Sequence, residues 1–332
     1  MMKKKILLIG LRYHTYTDNI MAALRGQGHE VTYHDIQPRD LLMKTLRVTA
    51  PSWYRSRLDR HHERIVQATE GQQYDLVLFI QVHQMALSTL QQLRRQQADA
   101  EFVLYNWDSL SNHDYRNHLP LFDRAYTFDP MDAQALGIHY LPLFCVPAFL
   151  GLAKRQQQQR AIYFVGNIVS IQRYRAIQAF KAHCREQGIT FHSYLACTPY
   201  VLTLLLRAGH WPADVSLRSI DNQRFIAMIE TSVAVFDFAN HKQTGYTMRT
   251  MENLCAGKKI VTGNPRIAGE AFYSADRILV FDGHDFSRVK AFLQVPLQDP
   301  DANFPQFHLD TFVSRLAQPG DSPQAVARSV LR

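Results

Sequence analysis

Short apolar runs alternate along the chain with longer stretches in which apolar residues recur every three or four positions. "KKILLIG" reads as a first β-strand over Ile6 to Ile9, and "DNIMAALRGQGHEVTYHD" as a helix with Ile20, Met21 and Leu24 on its inner face. Gly26 and Gly28 stop that helix before a second strand. "YDLVLFIQ" (74–81) is apolar almost throughout, as a parallel strand covered on both faces should be, and "ALSTLQQLRRQQ" after it is helical. "EFVLYNWD" (101–108) and "RAYTFDP" (124–130) are further strands. Strands alternating with helices predict an open, mostly parallel sheet.

The rhythm breaks over 142–160, "PLFCVPAFLGLAKRQQQQR", which reads as a linker. It restarts with "AIYFVGN" (161–167), a helix closed by Gly188, "ITFHSYLA", "TSVAVFDF" (231–238) and "DRILVFD" (276–282). The fold class predicted is α/β, two Rossmann-like domains whose parallel sheets face an interdomain cleft. Residues 1–145 form the first domain, 146–160 the linker and 161–315 the second domain, with 316–332 a tail packing back on the first. Such pairs bind ligands at the carboxyl ends of their strands.

The 332 residues suit two domains, and the 46% hydrophobic content suits globular ones. No run reaches the ~18 apolar residues of a membrane span, and four cysteines without CxxC spacing point to a reducing cytoplasm. Of the formal charge of +8, nearly all lies in the second half. Lys plus Arg against Asp plus Glu is 16 to 15 over 1–150 and 21 to 14 over 151–332. A basic half suits nucleic acid, an anionic membrane or a phosphorylated small molecule, and without a DNA- or RNA-binding motif nucleic acid is set aside.

Residues 245–265, "GYTMRTMENLCAGKKIVTGNP", carry the most chemistry. A helix starting near Tyr246 or Thr247 buries Met248, Met251, Leu254 and Cys255, stops at Gly257 and leads into the strand "KKIVTG". Its first turn offers unpaired N–H groups and about half a positive charge, which receives phosphate readily. Gly245 would let the backbone approach that group, Thr247 adds a hydroxyl, Arg249 a planar fork, and Glu252 can accept from a ribose diol. The plainer alternative is that Arg249 and Glu252 form an exposed i,i+3 ion pair. Under the nucleotide reading, Arg249→Ala weakens nucleotide binding and leaves stability nearly unchanged.

"QTGYTMRTMENLCAGKKIVTGNP" (243–265) resembles the donor-site segment of GT-B-fold glycosyltransferases that build bacterial lipopolysaccharide, capsule and exopolysaccharide. In these a Gly-x-Thr-x-Arg-x-x-Glu stretch precedes Ala-Gly-Lys-Lys and a strand. "YFVGN" with a downstream arginine, and "FDRAYTFDPMDAQALGIHYLPLF" (122–144), also resemble that group and its CgeB-like relatives. The resemblance implies a cytoplasmic hexosyltransferase-type enzyme moving a sugar from a nucleotide-diphosphate-sugar to a glycan or lipid-linked acceptor, with no metal and no cofactor beyond that donor. It places Gly245, Thr247 and Arg249 at the diphosphate, Glu252 at the ribose and Tyr246 in the same nucleotide-binding site. Gly166 would leave room for phosphate and Arg173 would supply a second cation, with Arg175 an open alternative or both arginines on a solvated helix face.

The acceptor falls to the first domain. "GLRYHTYTDN" (10–19) offers Gly10, Arg12, His14 and Tyr16, and "YNWDSLSNHDY" (105–115) offers Trp107, Asp108 and His113. Asp108, His14 and His113 are the candidate bases if the anomeric centre inverts. Asp108 as a simple cap, and both histidines as hydrogen-bonded loop residues, are the competing readings. "DPD" (299–301) reads as a turn, and "HHER" (61–64) lacks zinc-helix spacing. Residues 39–64 carry seven basic side chains (Arg39, Lys44, Arg47, Arg55, Arg57, Arg60, Arg64) among Leu41, Leu42, Leu46, Trp53 and Tyr54. This mixture suits peripheral contact with an anionic membrane at its inner face, or equally a solvated helix. A nucleotide-sugar 2-epimerase, which shares the fold, and a non-catalytic binding module are the alternative functions.

Overall fold

Leu76–Ile80 is apolar and buried at every position, as a strand between two neighbours and two helical layers must be. The computed structural model describes residues 2–318 except 14, 39–42, 44, 45, 47, 48, 151, 153–160 and 239–243. His14, Arg39, Lys44, Arg47, Leu41, Leu42, most of the expected linker and the end of the expected tail lie outside the described residues.

The chain divides into two units. The first contains β1 (Lys5–Gly10), α1 (Tyr16–Gly26), β2 (Glu30–Asp35), α2 (Pro51–Ala68), β3 (Leu76–Ile80), α3 (Leu87–Gln96) and β4 (Glu101–Asn106). It continues through β5 (Arg124–Thr127), α4 (Pro130–Leu136) and β6 (His139–Tyr140). Its six strands are parallel in the order β2-β1-β3-β4-β5-β6, over a core that includes Leu7, Val77, Phe79, Phe102 and Leu104.

The second unit contains β7 (Ala161–Asn167), α5 (Ile171–Glu186), β8 (Thr190–Ala196), α6 (Pro199–Arg207), β9 (Val215–Ser216) and α7 (Asn222–Glu230). It continues through β10 (Ala234–Asp237), α8 (Met248–Cys255), β11 (Lys259–Thr262), β12 (Ile278–Val280) and α9 (Val289–Gln294). This sheet is also parallel and six-stranded, in the order β12-β11-β10-β7-β8-β9. Phe164, Phe180, Phe236 and Phe281 meet in its core, with Phe180 and Phe236 stacked at 3.9 Å. The α/β class read from the sequence is the class observed.

Helix α10 (Leu309–Ala317) follows and groups with the first unit, as do residues 244–246. Arg124 donates to the carbonyls of Arg315 and Leu316, and Gln27 to Asp310, which ties α10 to β5 and α1. Phe312 packs edge-on against Tyr105 at 4.7 Å. Among the described residues no helix is long and apolar enough to cross a membrane.

Candidate functional site

The amphipathic stripe expected of α8 is not what the helix shows: every residue from Thr250 to Cys255 is buried, Glu252 and Asn253 included. Polar side chains in such a place must be satisfied internally. Asn253 accepts from the Tyr163 hydroxyl at 2.9 Å and donates to the Arg249 carbonyl at 2.8 Å. Thr247 is the N-cap, its hydroxyl accepting from the Thr250 N–H, and Gly257 ends the helix at φ +66°.

Arg249 does not form the exposed pair with Glu252 that its spacing allowed. Its Nη1 donates to Asp237 Oδ1 at 3.0 Å and its Nη2 to the Val165 carbonyl at 2.6 Å, with the side chain 18% exposed. Asp237, at the end of β10, is 2% exposed. Its carboxylate also accepts from the hydroxyls of Thr247, Thr250 and Thr262 at 3.2, 3.3 and 3.4 Å. One buried carboxylate thus gathers the start of α8 and the end of β11.

A second guanidinium lies beside the first. Arg173, near the start of α5, and Arg249 stand 5.7 and 4.9 Å from the centroid of one ring, Phe164. Arg173 Nε is buried, and the guanidinium has no hydrogen-bond partner among the described residues. Burial first, then the neighbouring Arg249 charge, lower its pKa to about 10. Among the described residues both cations act on the one carboxylate of Asp237. The structure separates Arg173 from Arg175, whose exposed Nε donates to His210 at 3.2 Å.

Both glycines leave room, but for protein atoms. A Cβ on Gly166 would meet Arg249 Nη2 at 3.0 Å, so the close approach here is to the guanidinium. A Cβ on Gly245 would lie 2.5 Å from the Phe128 carbonyl, so the backbone approach it permits is to Phe128. Next to it, Asp129 accepts from the N–H groups of Thr244 (2.7 Å) and Gly245 (3.1 Å), from the Thr244 hydroxyl, and from Met131 and Asp132 N–H as the cap of α4. Tyr246 is buried.

At the carboxyl ends of β10, β11 and β12 lies a cavity of about 530 Å³ lined by Phe238, Gly263, Pro265, Phe281, Asp282 and Arg288. That volume is in the range of small-molecule sites, and its position is where open α/β sheets bind them.

In the first unit the residues after β1, β3 and β4 cluster. Asp108 accepts from the Ser109 N–H and from the Asn112 side chain within its loop, while its Oδ2 lies 3.5 Å from His113 Nε2. His113 stacks on His83, with centroids 3.8 Å apart and planes at 3°. Burial, then the nearby His113, lower the His83 pKa to about 4. His83 follows a strand whose neighbour Gln81 takes φ +65°, uncommon for a side-chain-bearing residue. Tyr13 stacks on Tyr16 at 6.1 Å and meets Trp107 edge-on at 6.1 Å. Arg12 pairs with Asp18 at 2.7 Å on the surface. Gly10 is a packing residue here, its α-carbon pressed so close that a Cβ would lie 2.8 Å from Ile80 Cβ. Among the described residues no three His, Cys, Asp or Glu side chains group as metal ligands, and Asp299 accepts from the Ala302 N–H in a turn.

Phe164, Asp237, Thr250, Thr262 and His83 are the members sequence reasoning missed. Asp237 and His83 were findable, since each sits at or just past the carboxyl end of an apolar strand, "AVFD" and "LVLFIQVH".

No protein-family model matches the sequence, and no curated protein sequence matches it. Solved structures do match in fold. The apo form of the lipopolysaccharide outer core galactosyltransferase WaaB aligns over 94% of this chain and 98% of its own, with a TM-score of 0.56 at 13% identity. The catalytic domain of starch synthase IV from Arabidopsis thaliana, bound to ADP and acarbose, aligns over 100% of both chains with a TM-score of 0.59 at 9% identity. Anabaena HepE in complex with UDP-glucose covers 99% of this chain and 98% of its own, with a TM-score of 0.53 at 10% identity. Identities this low establish the shared GT-B architecture and nothing finer.

Proposed function

We propose that this protein is a glycosyltransferase that takes a nucleotide-diphosphate-sugar at the start of α8 and passes the sugar to a glycan or lipid-linked saccharide. The observation that carries this reading is the pair Arg173 and Arg249 over Phe164, two guanidinium groups against the single carboxylate of Asp237. In transfer the acceptor oxygen bonds to the anomeric carbon while the bond from that carbon to the β-phosphate oxygen breaks, leaving its electron pair on the diphosphate. Fixed cations and N–H donors aimed there stabilise the transition state more than the ground state. The positive end of α8 adds to them. If the centre inverts, the acceptor proton goes to His113 or Asp108.

The donor is the only small molecule the reading requires. Two of the fold relatives carry ADP or UDP-glucose, and WaaB is named for lipopolysaccharide, which favours a nucleotide donor and a bacterial surface polysaccharide product. Four free, buried cysteines suit a reducing compartment, and exposed Trp53 beside the arginines of α2 suits the inner face of a membrane.

Titrating UDP-, GDP-, ADP- and CMP-sugars by calorimetry tests the reading. Binding of one donor, with free nucleotide released on adding an acceptor glycan, supports transfer. Interconversion of the sugar without acceptor replaces transfer with epimerisation, and binding of none leaves only a GT-B-like module.

A further inference from the structure

Helix α2 carries Arg57, Arg60, His61 and Arg64 at i, i+3, i+4 and i+7, which places them along one face, while Leu58, His62, Ile65 and Val66 are buried. The three arginines are exposed, and with His61 and Pro38 they enclose a cavity of about 110 Å³. That is room enough for a group the size of one phosphate.

Charge on this helix is segregated. Asp59 lies on the far side of the helix from Arg57, and Glu63, three residues after Arg60, borders the basic face. Arg60 and Arg64 are like charges one turn apart, an arrangement that opposes helix formation, and neither has a carboxylate partner among the described residues. His61 donates from Nε2 to the Asp35 carbonyl at 2.7 Å, which fixes its ring and leaves Nδ1 as its other polar atom. His34 and His62 are held below their ordinary pKa by burial, with His61 lowering both and Arg55 adding to the effect on His62.

We propose that this cavity is a phosphate-binding site, in which the forks of Arg60 and Arg64, with the Arg57 charge beside them, hold a phosphate monoester or the terminal phosphate of a pyrophosphate. Planar guanidinium groups match such oxygens two at a time, which a point charge does not. The site is in the first unit, separate in the chain from Arg173 and Arg249, and does not depend on the glycosyltransferase reading. The phosphate comes either from a lipid headgroup or from a soluble phosphate ester.

Calorimetry on the full chain at low ionic strength, with inorganic phosphate and with pyrophosphate, tests the site against the Arg60→Gln/Arg64→Gln variant. The expected result is at least a tenfold loss of phosphate affinity in the variant with an unchanged circular dichroism spectrum. If that variant does not fold, Arg64→Lys keeps the charge, removes the fork and is expected to lose affinity severalfold. Equal phosphate affinity in wild type and variant overturns the proposal. Phosphatidylcholine vesicles containing phosphatidic acid separate the sources. Sedimentation of wild type but not variant assigns a lipid headgroup, and sedimentation of neither, with the phosphate difference intact, assigns a soluble ester. Equal sedimentation of both, without a phosphate difference, overturns the pocket in favour of a diffuse basic surface. UDP titrated into both proteins reads the donor site separately. Its failure to bind either one counts against the transfer reading and leaves the phosphate comparison standing.

Discussion

Arg249 reaches across from α8 to Asp237 at the end of β10, 3.0 Å from Nη1 to Oδ1, and its other nitrogen is held by the Val165 carbonyl. The pair joins the carboxyl-end residues of two strands of one sheet to the first turn of a helix, so it orders the same backbone N–H groups that would face a diphosphate. It also corrects the expectation that Arg249 can be removed without a cost in stability. Arg249→Ala leaves Asp237 with three hydroxyl donors and is expected to cost about 1–3 kcal/mol. Asp237→Ala leaves a half-buried cation and three hydroxyls without their acceptor and is expected to cost about 3–5 kcal/mol. Urea denaturation of both variants checks the order; a larger loss for Arg249→Ala would show that Asp237 is not the centre of the network.

Arg173 behaves differently because no hydrogen bond among the described residues depends on its guanidinium. Its guanidinium has no hydrogen-bond acceptor among the described residues, and burial and Arg249 lower its pKa to about 10. Arg173→Gln is therefore expected to leave the thermal midpoint unchanged or raise it. A hydrogen bond from a charged group contributes about 1.5–3 kcal/mol, so the same change is expected to weaken nucleoside diphosphate binding by about 10- to 100-fold. Retained affinity in a stable Arg173→Gln protein would remove Arg173 from the donor site.

Asp129 fixes residues 244 and 245 through the N–H groups of both and the Thr244 hydroxyl. Burial alone would raise its pKa, but the Thr244 hydroxyl and the N–H groups of Thr244, Gly245 and Asp132 outweigh it, and the net shift is downward. A carboxylate depressed in the folded state contributes stability that is complete above the ordinary carboxylate range and is lost as pH falls through the depressed value. Asp129→Asn should therefore destabilise the protein at pH 7 and matter progressively less in acid. Melting temperatures of the two proteins from pH 7 down to pH 3 should converge; a constant gap would assign the effect to geometry and not to charge.

The central strands were legible as short apolar runs buried on both faces, and Leu76–Ile80 and Ala161–Asn167 emerge where they were read, whereas the two-residue edge strands β6 and β9 carry no such run. The helix start at Thr247 was legible from capping chemistry, since Thr247 accepts from Thr250 N–H as an N-cap should. What Arg249 would bond was not legible. Its choice of Asp237 over Glu252 depends on β10 ending twelve residues earlier beside the first turn of α8, a three-dimensional fact that an i,i+3 spacing cannot encode. The full burial of α8 was hidden for a related reason. Glu252 and Asn253 look like a solvent face in sequence, yet Asn253 is buried because Tyr163 supplies it with a donor. Gly245 and Gly166 were read as space for a ligand, whereas Phe128 and Arg249 occupy that space.

His83 carries a pH prediction. Burial, then His113, lower its pKa to about 4, with His118 and Arg55 lowering it further and Asp108 opposing them. The unfolded chain binds a proton near the ordinary histidine value, about 6.5, and the folded one does not until about pH 4. Stability is thus complete above the ordinary value and falls as pH drops toward 4. His83→Gln, which cannot take a proton, is expected to flatten that part of the profile in guanidinium denaturation between pH 7 and 4. An unaltered slope would mean that another group sets it.

The two glycines give opposite expectations from the same substitution. A methyl on Gly245 would lie 2.5 Å from the Phe128 carbonyl oxygen and 2.6 Å from its ring, and backbone cannot yield cheaply. Gly245→Ala is therefore expected to cost about 1–3 kcal/mol, the range for overpacking a filled site. On Gly166 the nearest atom, at 3.0 Å, is Arg249 Nη2, the far end of a flexible side chain, with Phe164 Cζ at 3.1 Å behind it. Gly166→Ala should cost less in stability but displace the guanidinium from Val165 and Asp237, so its effect should fall on nucleotide affinity. Measuring denaturation midpoints and UDP affinity for both variants separates the cases. A stable Gly245→Ala protein would show that residues 244–246 move off Phe128 without loss, and an unchanged affinity in Gly166→Ala would show that the exact seat of Arg249 does not govern binding.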